Sequence, residues 1–163
     1  MIQEEAFDRG RRRILRPWTF RAYLWARLPL AAFSGLRLTR LDSSACVVAL
    51  PGGWRTRNPF RSTYFAAQAM AAEMSTGAPA LVLVESAGVS VALLVREIRG
   101  TFSRKAVGES LFSFEDVAGM RGAVEEAAAG GDGTTFTAQS TGRMPDGTVV
   151  AEFQVTWSFK RRS

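Results

Sequence analysis

The sequence has no histidine and a single cysteine, Cys46. Without histidine there is no histidine-containing triad, no ordinary zinc site and no imidazole base. Acid–base chemistry therefore falls to carboxylates, lysine or tyrosine. One cysteine excludes an internal disulfide and any cysteine-built metal cluster, and Cys46 stands in the apolar run ACVVAL. A secretory leader is not expected either: Glu4, Glu5 and Asp8 precede the first apolar stretch, and Arg21, Arg27 and Pro29 break it. The expected setting is reduced and cytoplasmic. Charge is scarce in one place above all. Between Arg61 and Glu85 the only charged side chain is Glu73. The uncharged span is as long as a membrane helix, but Gln68, Glu73 and the Gly77–Pro79 break argue against one, so no integral membrane segment is expected.

What is present is enough for one domain with a real core: 163 residues, 47% of them hydrophobic. The net charge of +6 is lopsided. Residues 1–40 hold nine arginines against three acids, whereas residues 41–163 hold twelve basic and twelve acidic residues. The basic cluster Arg9, Arg11, Arg12, Arg13 and Arg16 suits coenzyme phosphates, nucleic acid or an anionic membrane surface, or simply a solvated face paired with Glu4, Glu5 and Asp8. No nucleic-acid reading motif accompanies it, and no nucleic-acid partner is expected.

In chain order, residues 4–15 read as a polar helix, and Pro17 ends it or begins another. Trp18, Phe20, Tyr23, Leu24, Trp25 and Leu28 form a second short helix or apolar lead-in, stopped by Pro29 and Ser34-Gly35. Such a Trp- and Arg-rich segment suits a membrane interface, but packing against the core is the expected role. Residues 36–50 read as a long strand or a hairpin turning at Asp42-Ser43-Ser44. Asn58-Pro59 turns the chain, Ser62 or Thr63 caps a long helix rich in alanine and methionine, and Gly77 and Pro79 stop it, with Ala80–Val84 extending it or forming a second short helix. The helix lacks a charged face, so it is expected to be buried nearly all round, with Glu73 buried too or lining a pocket. From Val89 the period becomes two. Strands are expected near 91–102, 109–115 and 134–141, with a helix over 117–129 capped by Asp116. The last strand is the clearest: Val149, Ala151, Phe153, Val155, Trp157 and Phe159 face one way and polar residues the other. An antiparallel sheet around one central helix satisfies this order, an α+β architecture.

The stretch RNPFRSTYFAAQAMAAEM resembles the helix start of hotdog-fold thioesterases, in which an Asn lies in the loop, His-Gly-Gly opens the helix and an acid follows nine residues after the His. On that pattern Asn58 takes the Asn position, Tyr64 the His, Phe65 and Ala66 the two Gly, and Glu73 the acid. From about Leu36 to Lys160 the chain resembles the uncharacterised hotdog group called domain of unknown function 4442. The resemblance implies a hotdog domain over 35–163 behind an N-terminal basic and aromatic helical extension, 1–34. It also implies hydrolysis of acyl-CoA or a related acyl thioester, without cofactor or metal. Glu73 would be the base or nucleophile, assisted by Asn58, and Tyr64, Phe65, Ala66, Gln68 and Thr76 would contact or frame the substrate. Tyr64 for His, and Phe65-Ala66 for a Gly pair that lets substrate approach the backbone, leave open a non-catalytic acyl-binding protein. Nine helical residues span roughly 13 Å and end half a turn out of phase. Glu73 therefore cannot serve its own helix start, and a working site of this type requires a homodimer, or a tetramer built from dimers.

Overall fold

The computed structural model describes residues 1–162. Three helices come first: α1 (Glu4–Leu15), α2 (Pro17–Arg27) and α3 (Pro29–Ser34). Strands β1 (Arg37–Leu41) and β2 (Cys46–Leu50) precede the long helix α4 (Phe65–Glu85). Then follow β3 (Val91–Phe102), β4 (Ser110–Phe114), α5 (Val117–Ala129), β5 (Thr134–Arg143) and β6 (Val149–Arg161). The six strands form one antiparallel sheet in the order β1-β2-β4-β5-β6-β3. Helix α4 packs on β2, β3, β4, β5 and β6.

The alternation in β6 does what period two predicts. Phe153, Val155, Trp157 and Phe159 are buried beneath α4 while Glu152, Gln154 and Lys160 are exposed. The β1–β2 turn is held by Asp42, whose carboxylate accepts from the N–H groups of Ser44 and Ala45 and from the Ser44 hydroxyl. The Ser44 hydroxyl first, and then Arg40, hold that carboxyl well below the usual range. Asp116 caps α5 by accepting from the Gly119 N–H at 2.8 Å. Cys46 is fully buried in β2, and burial pushes its thiol far up, so it stays protonated and is no nucleophile.

Pro29 ends α2 as expected: Leu28 before it is pushed out of the helical region and α2 stops at Arg27. It also opens α3 at its first position, where a missing N–H is harmless. Two local expectations are corrected. Neither Ser62 nor Thr63 caps α4, because both are engaged in the preceding loop: Ser62 is hydrogen-bonded to Asn58, and Thr63 bridges Arg57 and donates its N–H to Ala106. The N-cap is Tyr64, without a side-chain bond. Gly77 and Pro79 do not stop α4, which runs on to Glu85. A proline inside a helix costs about 3 kcal/mol, but the turns around and beyond it bury Ala80, Val82 and Leu83 almost completely, and each large aliphatic side chain so buried returns roughly 1.5–3 kcal/mol.

The helix is buried except along one stripe. Ala66, Ala69, Met70, Glu73, Gly77, Leu81 and Val84 recur every three or four residues and stay partly or fully exposed. Opposite treatment is given to the sheet's two edges. Edge strand β1 is short, irregular between Leu38 and Arg40, and studded with arginines. Edge strand β3 is twelve residues long, and Leu94, Ile98 and Phe102 on it are exposed. A bulge between Val95 and Glu97 shifts its register, so that Ile98 and Phe102 join Leu93 and Val95 on the face that looks toward the helix layer.

Candidate functional site

The loop before α4 is built on Asn58. Its side-chain carbonyl accepts from the N–H groups of Phe60 at 3.0 Å and Ser62 at 3.1 Å, and its amide donates to the Ser62 hydroxyl. This is the turn chemistry an Asn-Pro pair provides. It leaves Asn58 as a scaffold for the helix start. Beyond it, a cavity of about 600 Å³ is lined by Asn58, Tyr64, Phe65 and Gln68 together with Phe102 and the Ser103–Ala106 loop. Because no side chain caps the helix, the first-turn N–H groups of Phe65 and Ala66 are open to a ligand.

Gln68 adds a second polar feature. It is almost fully buried, its amide N–H donates to the Thr63 carbonyl at 3.2 Å, and its carbonyl oxygen has no partner among the described residues. That oxygen is closed off from solvent, so it is an orphan acceptor behind the cavity wall and not a contact open to a ligand. Tyr64 and Phe65 are about half exposed and meet edge-on at 4.8 Å between ring centroids; Phe65 also meets Phe102 edge-on. Ala66 is exposed on the first turn.

Glu73 lies elsewhere, in a groove of about 440 Å³ between α4, the β3–β6 edge and helices α1 and α2. Met74, Leu81, Leu93, Trp157, Ile14 and Phe20 supply its apolar walls. Arg13, Arg27, Glu85 and Tyr23 stand at its margin, and Arg13 is already paired with Glu85 at 2.8 Å. The Glu73 carboxylate makes no hydrogen bond or ion pair among the described residues, and burial alone raises its pKa. Gly77 makes room for it: a Cβ there would sit 3.1 Å from Glu73 Oε1 and 3.1 Å from the Trp157 ring.

Thr76 does not line either cavity. Its hydroxyl donates to the Glu73 carbonyl at 2.9 Å and accepts from the Trp157 indole N–H at 3.0 Å. It thereby ties the groove wall to the turn that carries Glu73. Thr76→Val keeps the shape but leaves the buried indole N–H without an acceptor, and a loss of about 1–3 kcal/mol is expected in chemical denaturation.

The structure thus brings Asn58, Tyr64, Phe65 and Gln68 together, and places Glu73 with Thr76 in a second region. Sequence reading missed the rest of both walls. Phe102 and the Arg104-Lys105 pair close the first cavity, while Trp157, Leu93 and α2 close the second. Only the strand alternation hinted at Trp157; the other neighbours arrive through long-range packing. No group of three or more acidic, histidine or cysteine side chains able to hold a metal occurs among the described residues, and no helix is long and apolar enough to cross a membrane.

No family model and no curated protein matches the sequence, so the closer likeness to domain of unknown function 4442 has no matching family model behind it. Solved structures do match. A Pseudomonas aeruginosa protein described as a probable thioesterase superposes with a TM-score of 0.73 at 22% identity, covering 90% of this chain and 97% of that one. A Chlorobaculum tepidum protein of unknown function gives 0.74 at 12% identity, over 91% and 98% of the two chains. A Haemophilus influenzae thioesterase gives 0.63 at 12% identity, over 86% and 88%. The architecture is the hotdog fold. At these identities the likeness reaches the fold and stops there.

Proposed function

We propose that the chain hydrolyses acyl thioesters, acyl-CoA among them, in a site shared by two subunits. The observation that carries this is the placement of Glu73: the only charged side chain of α4 besides its terminal Glu85, unpaired, in an apolar groove that raises its pKa. A carboxylate so placed is a stronger base near neutral pH than an exposed one. In the proposed reaction Glu73 takes a proton from water, whose oxygen attacks the acyl carbon. The open N–H groups of Phe65 and Ala66 receive the carbonyl oxygen as it becomes negative. As the tetrahedral intermediate collapses, the carbon–sulfur bond breaks and the proton on Glu73 passes to the leaving thiolate.

The two halves of this site lie at opposite ends of β3, since Leu93 lines the Glu73 groove and Phe102 the helix-start cavity. Nine strand residues separate Leu93 from Phe102, roughly 30 Å, while along α4 Glu73 stands roughly 12 Å from the Phe65 N–H. Antiparallel pairing of β3 with its copy about the strand's midpoint would exchange the ends, bringing the partner subunit's Leu93 close to Phe102. It would also extend an otherwise open, twelve-residue edge and cover Ile98 and Phe102. A homodimer is therefore part of the proposal.

One observation favours a second reading, an acyl-binding protein without turnover. The Phe65 ring stands at the cavity mouth between Tyr64 and Phe102, where glycine would leave the backbone bare. The deciding experiment is a panel of acyl thioesters of increasing chain length on coenzyme A and on shorter thiol carriers, read by thiol release. Release above the uncatalysed rate supports the hydrolase; saturable binding with no release supports the carrier.

A further inference from the structure

Helix α2 buries only Phe20 and Leu24, one turn apart, against the body of the protein. At 100° per residue, Trp18, Ala22 and Trp25 fall on one line nearly opposite that stripe. Trp18 is 84% and Trp25 53% exposed. The expectation that this aromatic segment packs into the core is thus met by two of its side chains, while both indoles face outward. The apolar surface continues along the chain with Leu30, 71% exposed, and with Phe33, whose ring meets the exposed Trp54 edge-on.

The charge around this surface has one sign. From Arg9 to Leu41 there are nine arginines and no acid. Arg11 and Arg13 are spoken for by Asp8 and Glu85, but Arg16, Arg21 and Arg27, which flank and punctuate α2, have no carboxylate partner among the described residues. At 100° per residue Arg21 stands about 40° from Trp25 on the border of the indole face, whereas Arg16 and Arg27 fall on the side of the buried stripe and Arg27 lines the Glu73 groove. Two indoles beside an unpaired guanidinium group, on a segment whose charge has one sign, match the boundary between headgroups and acyl chains of an anionic bilayer. A second copy of the chain fits poorly, because a two-fold contact would set Arg21 and a surface of one sign against themselves.

We propose that the outward face of α2, continued onto α3, docks the protein on the surface of an anionic phospholipid bilayer, with Trp18 and Trp25 inserted at the interface and Arg21 on the lipid phosphates. This is independent of the thioesterase reading, and a failure of either leaves the other standing.

The test is co-sedimentation of the full chain with vesicles of phosphatidylcholine alone and of equal parts phosphatidylcholine and phosphatidylglycerol. Binding is expected to the mixed vesicles only, to weaken as salt is raised, to drop at least tenfold in Trp18→Ala/Trp25→Ala and to drop severalfold in Arg21→Gln. These side chains stand clear of the core, and circular dichroism will show both variants folded. Equal sedimentation of parent and variants, or none of the parent, overturns the proposal. So does tighter binding of a single-stranded oligonucleotide that depends on the same two tryptophans, which would make the face a nucleic-acid surface. A smaller assembly in the tryptophan variant without vesicles would make it a subunit contact and overturn the proposal equally.

Discussion

Replacing Glu73 with Gln is expected to lower thioester turnover by about a hundredfold or more, the usual loss when a general base is removed. The amide keeps the size of the side chain in a groove whose walls are Trp157, Leu93 and Met74. The fold should therefore survive, and stability should be equal or higher, because an unpaired buried charge has been removed. The pH dependence gives a second readout. Burial raises the Glu73 pKa above its value in the unfolded chain, so between the two values the folded state holds the proton more firmly. Stability contributed by this group is full below the unfolded pKa of roughly 4.3, falls as pH rises toward the folded value, and levels off above it. Glu73→Gln should remove that segment of the stability curve. Arg13, Arg27, Glu85 and Tyr23 also face the groove, and all four are unchanged in the variant. A variant that hydrolyses thioesters at the parent's rate would dismiss Glu73 as the base, and an unaltered stability curve would dismiss its desolvation.

The reasons some of this was legible in the sequence, and some not, are physical. The β6 alternation and the Asp116 cap are local, so residues close in sequence decide them. The isolation of Glu73 is local as well, and it pointed to the groove. The continuation of α4 through Pro79 is decided by burial against β2, β5 and α5, which no window of sequence contains. The β3 bulge depends on where Trp157 and Thr156 fall opposite Val95 and Glu97. The groove around Glu73 depends on α2, some fifty residues earlier in the chain. Asn58 was read as a site residue through the resemblance; its hydrogen bonds give it a complete role in the turn and leave its contact with substrate as part of the proposal.

If each site takes its helix start from one subunit and Glu73 from the other, two inactive variants should restore activity when mixed. Glu73→Gln supplies one. Phe65→Asp supplies the other: Phe65 is 56% exposed, so its loss uncovers no core, and an acid in the first helical turn is favoured by the helix dipole. The same carboxylate would stand beside the N–H groups that must receive the oxyanion and oppose the charge that develops there. Each variant alone should be close to inactive. Co-expressed in equal amounts and free to pair at random, half of the dimers will carry one subunit of each kind. In those, one site inherits both defects and the other inherits neither, so about a quarter of the parent's activity should return. A site confined to one subunit predicts no recovery, because every subunit in the mixture carries a defect. Light scattering on the separate variants must show the parent's oligomeric state for the comparison to hold. Ile98→Lys on the open face of β3 then supplies the converse: with the edge pairing broken, the mixed sample should lose the recovered activity while each chain remains folded.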